Sequence, residues 1–193
     1  MKKHIIISLT VLTFAACQTP PVEGERRMVD VGVLAPAGGL AVGSFQYRPK
    51  EEPAGYEGEA DKSYQPYGYY GTFNVAFADS PDGEDVTDFD LPDSITDPYK
   101  TDDGVTGVGG SFGLTYRVQE KLGLFAGLAL AFVEEYDQGF VPEIQESFYK
   151  VTDDGLQVGV EVGAHLFLSD KIALGARYNS VWKSAIVSLG FTF

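Results

Sequence analysis

Any chemistry in this chain has to come from very few side chains. Histidine occurs twice and cysteine once. His4 lies in an N-terminal apolar leader, so His165 has no second histidine to build a metal site or a triad. Cys17 has no partner for an internal disulfide. The remaining candidates are charges set among apolar and small residues: Asp30, Arg117, Glu161 and Arg177. An ion removed from water is costly unless an opposite charge and hydrogen bonds meet it. If these side chains share one interior, their chemistry is pairing, either as a structural network or as the lining of a gated, narrow ion path.

A second candidate is acidic. Asp79–Asp103 holds ten carboxylates and one basic residue, Lys100. Hard divalent cations take carboxylate oxygens, but Asp82-Gly83-Glu84-Asp85 lacks the spacing of a calcium loop. The stretch reads as a solvated loop, and no metal or cofactor is expected. The formal charge of −14 argues against nucleic acid, which needs a basic footprint. Tyrosines gather nearby at Tyr47, Tyr56, Tyr64, Tyr67, Tyr69 and Tyr70, a composition that suits contact surfaces and membrane interfaces alike.

Strands must position these residues. Gly (23), Tyr (11) and Phe (13) are plentiful, and none is a strong helix former. Leu122–Val133 is too short to span a bilayer as a helix, but at period two it separates cleanly. Leu122, Leu124, Ala126, Leu128, Leu130 and Phe132 share one face; Gly123, Phe125, Gly127, Ala129, Ala131 and Val133 share the other. The same alternation runs through Val105–Val118, Gly155–Leu168, Lys171–Asn179 and Ala185–Phe193. A continuous apolar face opposite a small, polar one is the lipid-out, polar-in pattern of a transmembrane barrel. By this parity Asp30, Arg117, Glu161, His165 and Arg177 all face inward.

Val29–Ala35, Gly39–Arg48 and Tyr67–Ala78 complete eight strands of an all-β, antiparallel, up-and-down barrel. Gln119–Lys121 and Ser169–Lys171 are tight turns, whereas Asp79–Asp103 and Gln138–Asp154 are long external connections. Pro49–Pro66 is a long turn for the opposite end, and Leu40 and Val42 are expected to face inward, so six strands or another pairing stays open there. Tyr47, Tyr116, Phe167, Phe191 and Phe193 stand at strand ends, where interfacial girdles form.

The N-terminus is an address. Lys2 and Lys3 precede the apolar run Ile5–Ala16, the layout of a secretory signal over residues 1–16. Phe14-Ala15-Ala16-Cys17 resembles a bacterial lipobox, in which Cys17 becomes the lipidated first residue. Gln18 rather than Asp follows, and by resemblance to lipoprotein sorting this implies the outer membrane. Residues 17–27 read as a polar, Pro-containing tether, leaving 28–193 for the barrel.

The hairpins TYRVQEKLGLFAGLALAF and HLFLSDKIALGARY, with the terminal strand AIVSLGFTF, resemble the outer-membrane protein A-like β-barrel family over Thr106–Phe193. The resemblance implies a barrel in the outer membrane of a Gram-negative bacterium. It also implies that Val187, Leu189, Phe191 and Phe193 form the signal read by the barrel-assembly machinery. The expected partners are that machinery and outer-membrane lipid, with a monomeric state and no identified external ligand. Function is expected to be structural or surface contact, with no catalytic residue. The alternatives are a narrow ion channel and an enzyme acting on outer-membrane lipid. Lipid A deacylases are barrels of similar size that use a His and a nearby Ser, but His165-Leu166-Phe167 has no Ser two residues on.

Overall fold

The computed structural model describes residues 23–52, 64–77, 84–85, 99–141 and 146–193. The signal, Cys17 and most of the acidic stretch lie outside them. The described elements are β1 (Arg26–Ala35), β2 (Gly39–Tyr47), β3 (Tyr67–Ala76), the two-residue β4 (Glu84–Asp85), β5 (Tyr99–Gln119), β6 (Leu122–Val141), β7 (Glu146–Phe167), β8 (Ile172–Asn179) and β9 (Ser184–Thr192). Eight of them pair antiparallel in the order β1-β2-β3-β5-β6-β7-β8-β9, and β9 pairs back onto β1. The protein is a closed eight-stranded antiparallel barrel. Closure leaves no free edge around the wall. β4 stands outside the ring, parallel to β7 at Phe148 and Tyr149.

Directly opposed residues of antiparallel strands point to the same face. Val31 opposes both Val42 and Leu189, and Val33 opposes both Leu40 and Val187, so all six face outward together. This corrects the inward placement of Leu40 and Val42: Leu40 is 51% exposed. The inner positions of β2 are Ala41, Gly43, Phe45 and Tyr47, all buried. Tyr47 and Phe167 also leave the expected girdle and point inward. Tyr116 stays outward beside Tyr67, with ring centroids 5.6 Å apart, and Phe191 and Phe193 are exposed.

Two regions begin or run differently from the sequence reading. β1 starts at Arg26, which pairs with Tyr47, three residues earlier than expected. Gln138–Asp154 is mostly strand rather than loop: β6 runs to Val141 and β7 starts at Glu146. β3 pairs β5 only as far as Gly107, and β8 pairs β7 only from Glu161. Gly107 is level with Val133 of β6 and Gly155 of β7, and the β8–β9 turn still flanks β7 at Val160. Beyond the Gly107–Val133–Gly155 level β5, β6 and β7 continue as a three-stranded ribbon. The ribbon leaves the end of the barrel opposite the one that holds Arg26 and Thr192. Those two ends are called far and near below.

The tight turns at the near end follow local hydrogen bonding. Ser169 Oγ accepts from the Lys171 and Ile172 backbone N–H groups at 3.2 Å, closing the β7–β8 turn. At the far end Gly38 takes φ +68° in the β1–β2 turn, a conformation that favours glycine, and its carbonyl accepts from the Phe77 N–H at 3.0 Å.

Candidate functional site

Inward residues fill the barrel in three layers. At the near end Met28, Phe45, Tyr47, Tyr70, Phe125, Phe167 and Ala173 form an apolar and aromatic cluster. At the far end Trp182 and Val181, from the β8–β9 turn, fold in against Leu34, Ala41, Ala129, Val133 and Ile186. The polar residues fall between them. Along β1 the inward order is Met28, Asp30, Gly32, Leu34; along β3 it is Tyr70, Thr72, Asn74, Ala76.

Asp30 is the centre of the middle layer and is fully buried. Its Oδ2 accepts from Ser188 Oγ at 2.7 Å and lies 3.2 Å from His165 Nε2. Arg177 Nη1 reaches both oxygens at 3.4 Å. A carboxylate can only accept, so Nε2 of a neutral His165 ring donates to Asp30. Nδ1 is then left to accept from the Tyr47 hydroxyl, 2.8 Å away. Glu161 is buried one step along: Asn179 Nδ2 donates to its Oε2 at 3.0 Å and to Ser111 Oγ at 3.1 Å. Arg177 Nε lies 4.0 Å from Glu161 Oε2, so one guanidinium sits between two carboxylates. Its other neighbour is the Phe45 ring, 5.8 Å from Cζ to centroid.

Small inner residues make this layer possible. A methyl group on Gly43 would run into Asp30 Oδ1 and the Phe45 ring. One on Gly175 would run into Ser188 Oγ and come within 2.8 Å of His165 Nε2. Glycine on the inner face therefore supplies the room in which long polar side chains from neighbouring strands meet.

The structure brings together Asp30, Glu161, His165 and Arg177 among the residues singled out by type and parity. It does not bring Arg117 there, which is a correction. Arg117 sits at the near-end rim, where its guanidinium donates to the carbonyls of Gly24 at 3.0 Å and Glu120 at 3.3 Å. The physical reason is its place at the strand end, where the β5–β6 register shifts between Arg117 and Gln119 and Arg117 shares the rim with Glu25, Arg26 and Asp170. Ser111, Asn179 and Ser188 join the layer without having been singled out, and the hydroxyl of Tyr47, expected in the girdle, reaches it from the near-end cluster. The signal for Ser111, Asn179 and Ser188 was their inward parity; for Tyr47 it was the pairing of β2 with β1.

The terminal strand presents Val187, Leu189, Phe191 and Phe193 outward, at 62%, 42%, 51% and 80% exposure. The Phe193 N–H donates to the Arg27 carbonyl at 3.0 Å, which fixes the seam at its near end. Arg26 pairs with Asp170 at 3.2 Å and lies over the Phe167 ring, 4.8 Å from Cζ to centroid. Among the described residues no group of three or more His, Cys, Asp and Glu side chains is placed to hold a metal.

No family model matches the chain. No curated protein matches it. Among solved structures it is similar to the crystal structure of Ail, the attachment invasion locus protein of Yersinia pestis, with 13% identity and a TM-score of 0.47, over 88% of this chain and 99% of that one. A structure of the same protein in complex with the heparin analogue sucrose octasulfate gives 12% identity and a TM-score of 0.48, over 88% and 98% of the two chains.

Proposed function

We propose that this chain spans the outer membrane of a Gram-negative envelope and serves there as a structural or surface-contact barrel. One observation carries the reading: a closed barrel packed inside presents large apolar side chains outward from all of its eight wall strands. Soluble monomers rarely expose contiguous apolar patches beyond about 300–600 Å². On β7 alone Leu156, Val158, Val160, Val162 and Leu166 are each 47% exposed or more. From Leu156 to Leu166 the strand covers about 33 Å at ~3.3 Å per residue, or roughly 25 Å of depth at a tilt of ~40°. That matches the apolar band of such barrels.

The ribbon, the acidic stretch and the far end then form the external side, and the near end faces the periplasm. In this reading Cys17 carries lipid, residues 17–25 tether it to β1, and Val187, Leu189, Phe191 and Phe193 are read by the barrel-assembly machinery. The likeness to outer-membrane protein A-like barrels is one of kind and gives no ligand. The polar layer of Asp30, Glu161, His165 and Arg177 acts as a structural core between two apolar plugs.

Two other readings are disfavoured on specific grounds. His165 is fully buried, with both ring nitrogens within hydrogen-bonding distance of Tyr47 and Asp30, so it is not placed to meet lipid on the outer wall. A channel would have to pass the near-end aromatic cluster and the far-end Trp182 cluster. Reconstitution in planar bilayers is expected to give no conductance steps. Heat-modifiable gel mobility and a detergent-dependent β-rich fold test the barrel in its membrane; a fold that is water-soluble without detergent overturns the proposal. Palmitate labelling lost in Cys17→Ser supports the anchor, and labelling retained in that variant removes it.

A further inference from the structure

Every neighbour pair around the ring is consecutive in the chain of wall strands except one, the seam between β1 and β9. Hairpins close over short loops, whereas the seam joins the two ends of the barrel and bears the largest closure entropy. Asp30 lies on β1, at the level where Gly190 of β9 opposes it. Its described side-chain bonds go to three partners, His165 on β7, Arg177 on β8 and Ser188 on β9, between 135 and 158 residues away along the chain. None goes to β2, although β2 flanks β1 on the other side.

Glu161 is arranged differently. Asn179 bonds it from β8, a strand already paired with β7, and the same amide bonds Ser111 on β5. Its partners do not cross the seam. Of the two buried carboxylates, only Asp30 gains its hydrogen bonds when β1 docks on β9.

We propose that Asp30 is the closure latch of the barrel: its dehydration is compensated by His165, Arg177 and Ser188 in the same step that zips β1 to β9. The inference rests on the polar layer being structural and adds an order of events to it. A sheet with its hairpins formed but its seam open keeps Asp30 in water, and burying it in that state is unfavourable. Open, dry intermediates are therefore depleted, and the last pairing becomes all-or-none.

The test follows seam and hairpin separately in the full chain carrying Cys17→Ser, refolded from urea into phosphatidylcholine vesicles. One version carries Val33→Cys and Val187→Cys, an outward pair across the seam; the other carries Val162→Cys and Tyr178→Cys, an outward pair within the β7–β8 hairpin. Dibromobimane, a short thiol cross-linker, is added at timed intervals. In Asp30→Asn, which keeps the shape and loses the charge, the seam cross-link is expected to form about tenfold more slowly, with the hairpin cross-link unchanged. Glu161→Gln is expected to leave the seam rate within about twofold. A wild-type seam rate in Asp30→Asn overturns the latch, as does equal slowing of seam and hairpin, or equal slowing of the seam by Glu161→Gln. Urea resistance separates the latch from the reading beneath it. Unchanged resistance in both carboxylate variants removes the structural role of the layer, whereas lost resistance with an unchanged seam rate removes the latch alone.

Discussion

Strands β5, β6 and β7 each live in two environments, and the contrast between their two halves explains much of the molecule. In the wall, β7 alternates Leu156, Val158, Val160 and Val162 outward with Gly159, Glu161 and Gly163 inward. In the ribbon the same strand reads Lys150, Val151, Thr152, Asp153, Asp154, with charge on both faces. β6 changes similarly, from Leu128, Leu130 and Phe132 to Glu134, Glu135, Tyr136 and Asp137. The backbone ladder continues through the change, with one register shift at Glu135/Tyr136. Hydrogen bonding therefore fixes the strand, while the solvent on each face fixes the side chains. Period two is strong where an apolar outer face opposes a small, polar inner one and fades where both faces carry charge.

That contrast can be broken at its most buried point. Arg177→Leu leaves Asp30 and Glu161 in the interior without their cation. Removing one partner of a buried ion pair costs about 3–5 kcal/mol, so this variant is expected to show the largest loss of urea resistance and of the heat-modifiable band. An effect below about 1 kcal/mol would mean that the layer is wet or replaceable. On the outer face of the wall, Val162→Arg places a charge near the middle of the apolar belt and is expected to cost about 2–4 kcal/mol in vesicles. The same residue type introduced ten positions away on the same strand, Thr152→Arg, is expected to change stability by no more than about 0.5 kcal/mol, since Thr152 is exposed in the ribbon. Equal effects at the two positions would argue against a lipid-facing belt.

A similarly small effect belongs to the ion pair that joins ribbon and wall turn. Lys183 Nζ lies 2.9 Å from Glu135 Oε2, and the Lys183 side chain is 65% exposed. Exposed pairs of this kind contribute about 0–1 kcal/mol, so Glu135→Gln is expected to shift the urea midpoint barely, and less still at high salt.

The same contrast decides what could be read before the structure. The parities of Leu122–Val133, Gly155–Leu168 and Ala185–Phe193 were legible because the apolar outer face and the small, polar inner face impose opposite demands on successive residues. The far halves of β6 and β7 were not, because water on both faces leaves no alternation, and Gln138–Asp154 reads as loop. Leu40 and Val42 were misread because each run was judged alone; only the pairing Val33 with Leu40 and Val31 with Val42 shows that they share the outer face. Arg117 and Tyr47 show a third limit. Parity tells inside from outside but not depth, so Arg117 was grouped with charges it never reaches, and Tyr47 was assigned to a rim although its hydroxyl meets His165. Asp30, Glu161, His165 and Arg177 could be singled out because a charged or polar residue among apolar and small ones is conspicuous at any depth.

The far-end plug also gives the molecule a built-in lamp. Trp182 is the only tryptophan in the chain and is 2% exposed. Its emission therefore reports on one place, the cluster where the β8–β9 turn closes the far mouth. Ultraviolet excitation should give a blue-shifted band that resists acrylamide while the mouth is shut and moves to the red when that turn opens. Tyrosine donors lie at both ends, Tyr47 and Tyr70 in the near-end cluster and Tyr178 on β8 four residues before Trp182, so energy passed to Trp182 reports on the whole barrel. Colour and transfer together would distinguish a barrel that loosens at its mouth from one that comes apart along its wall.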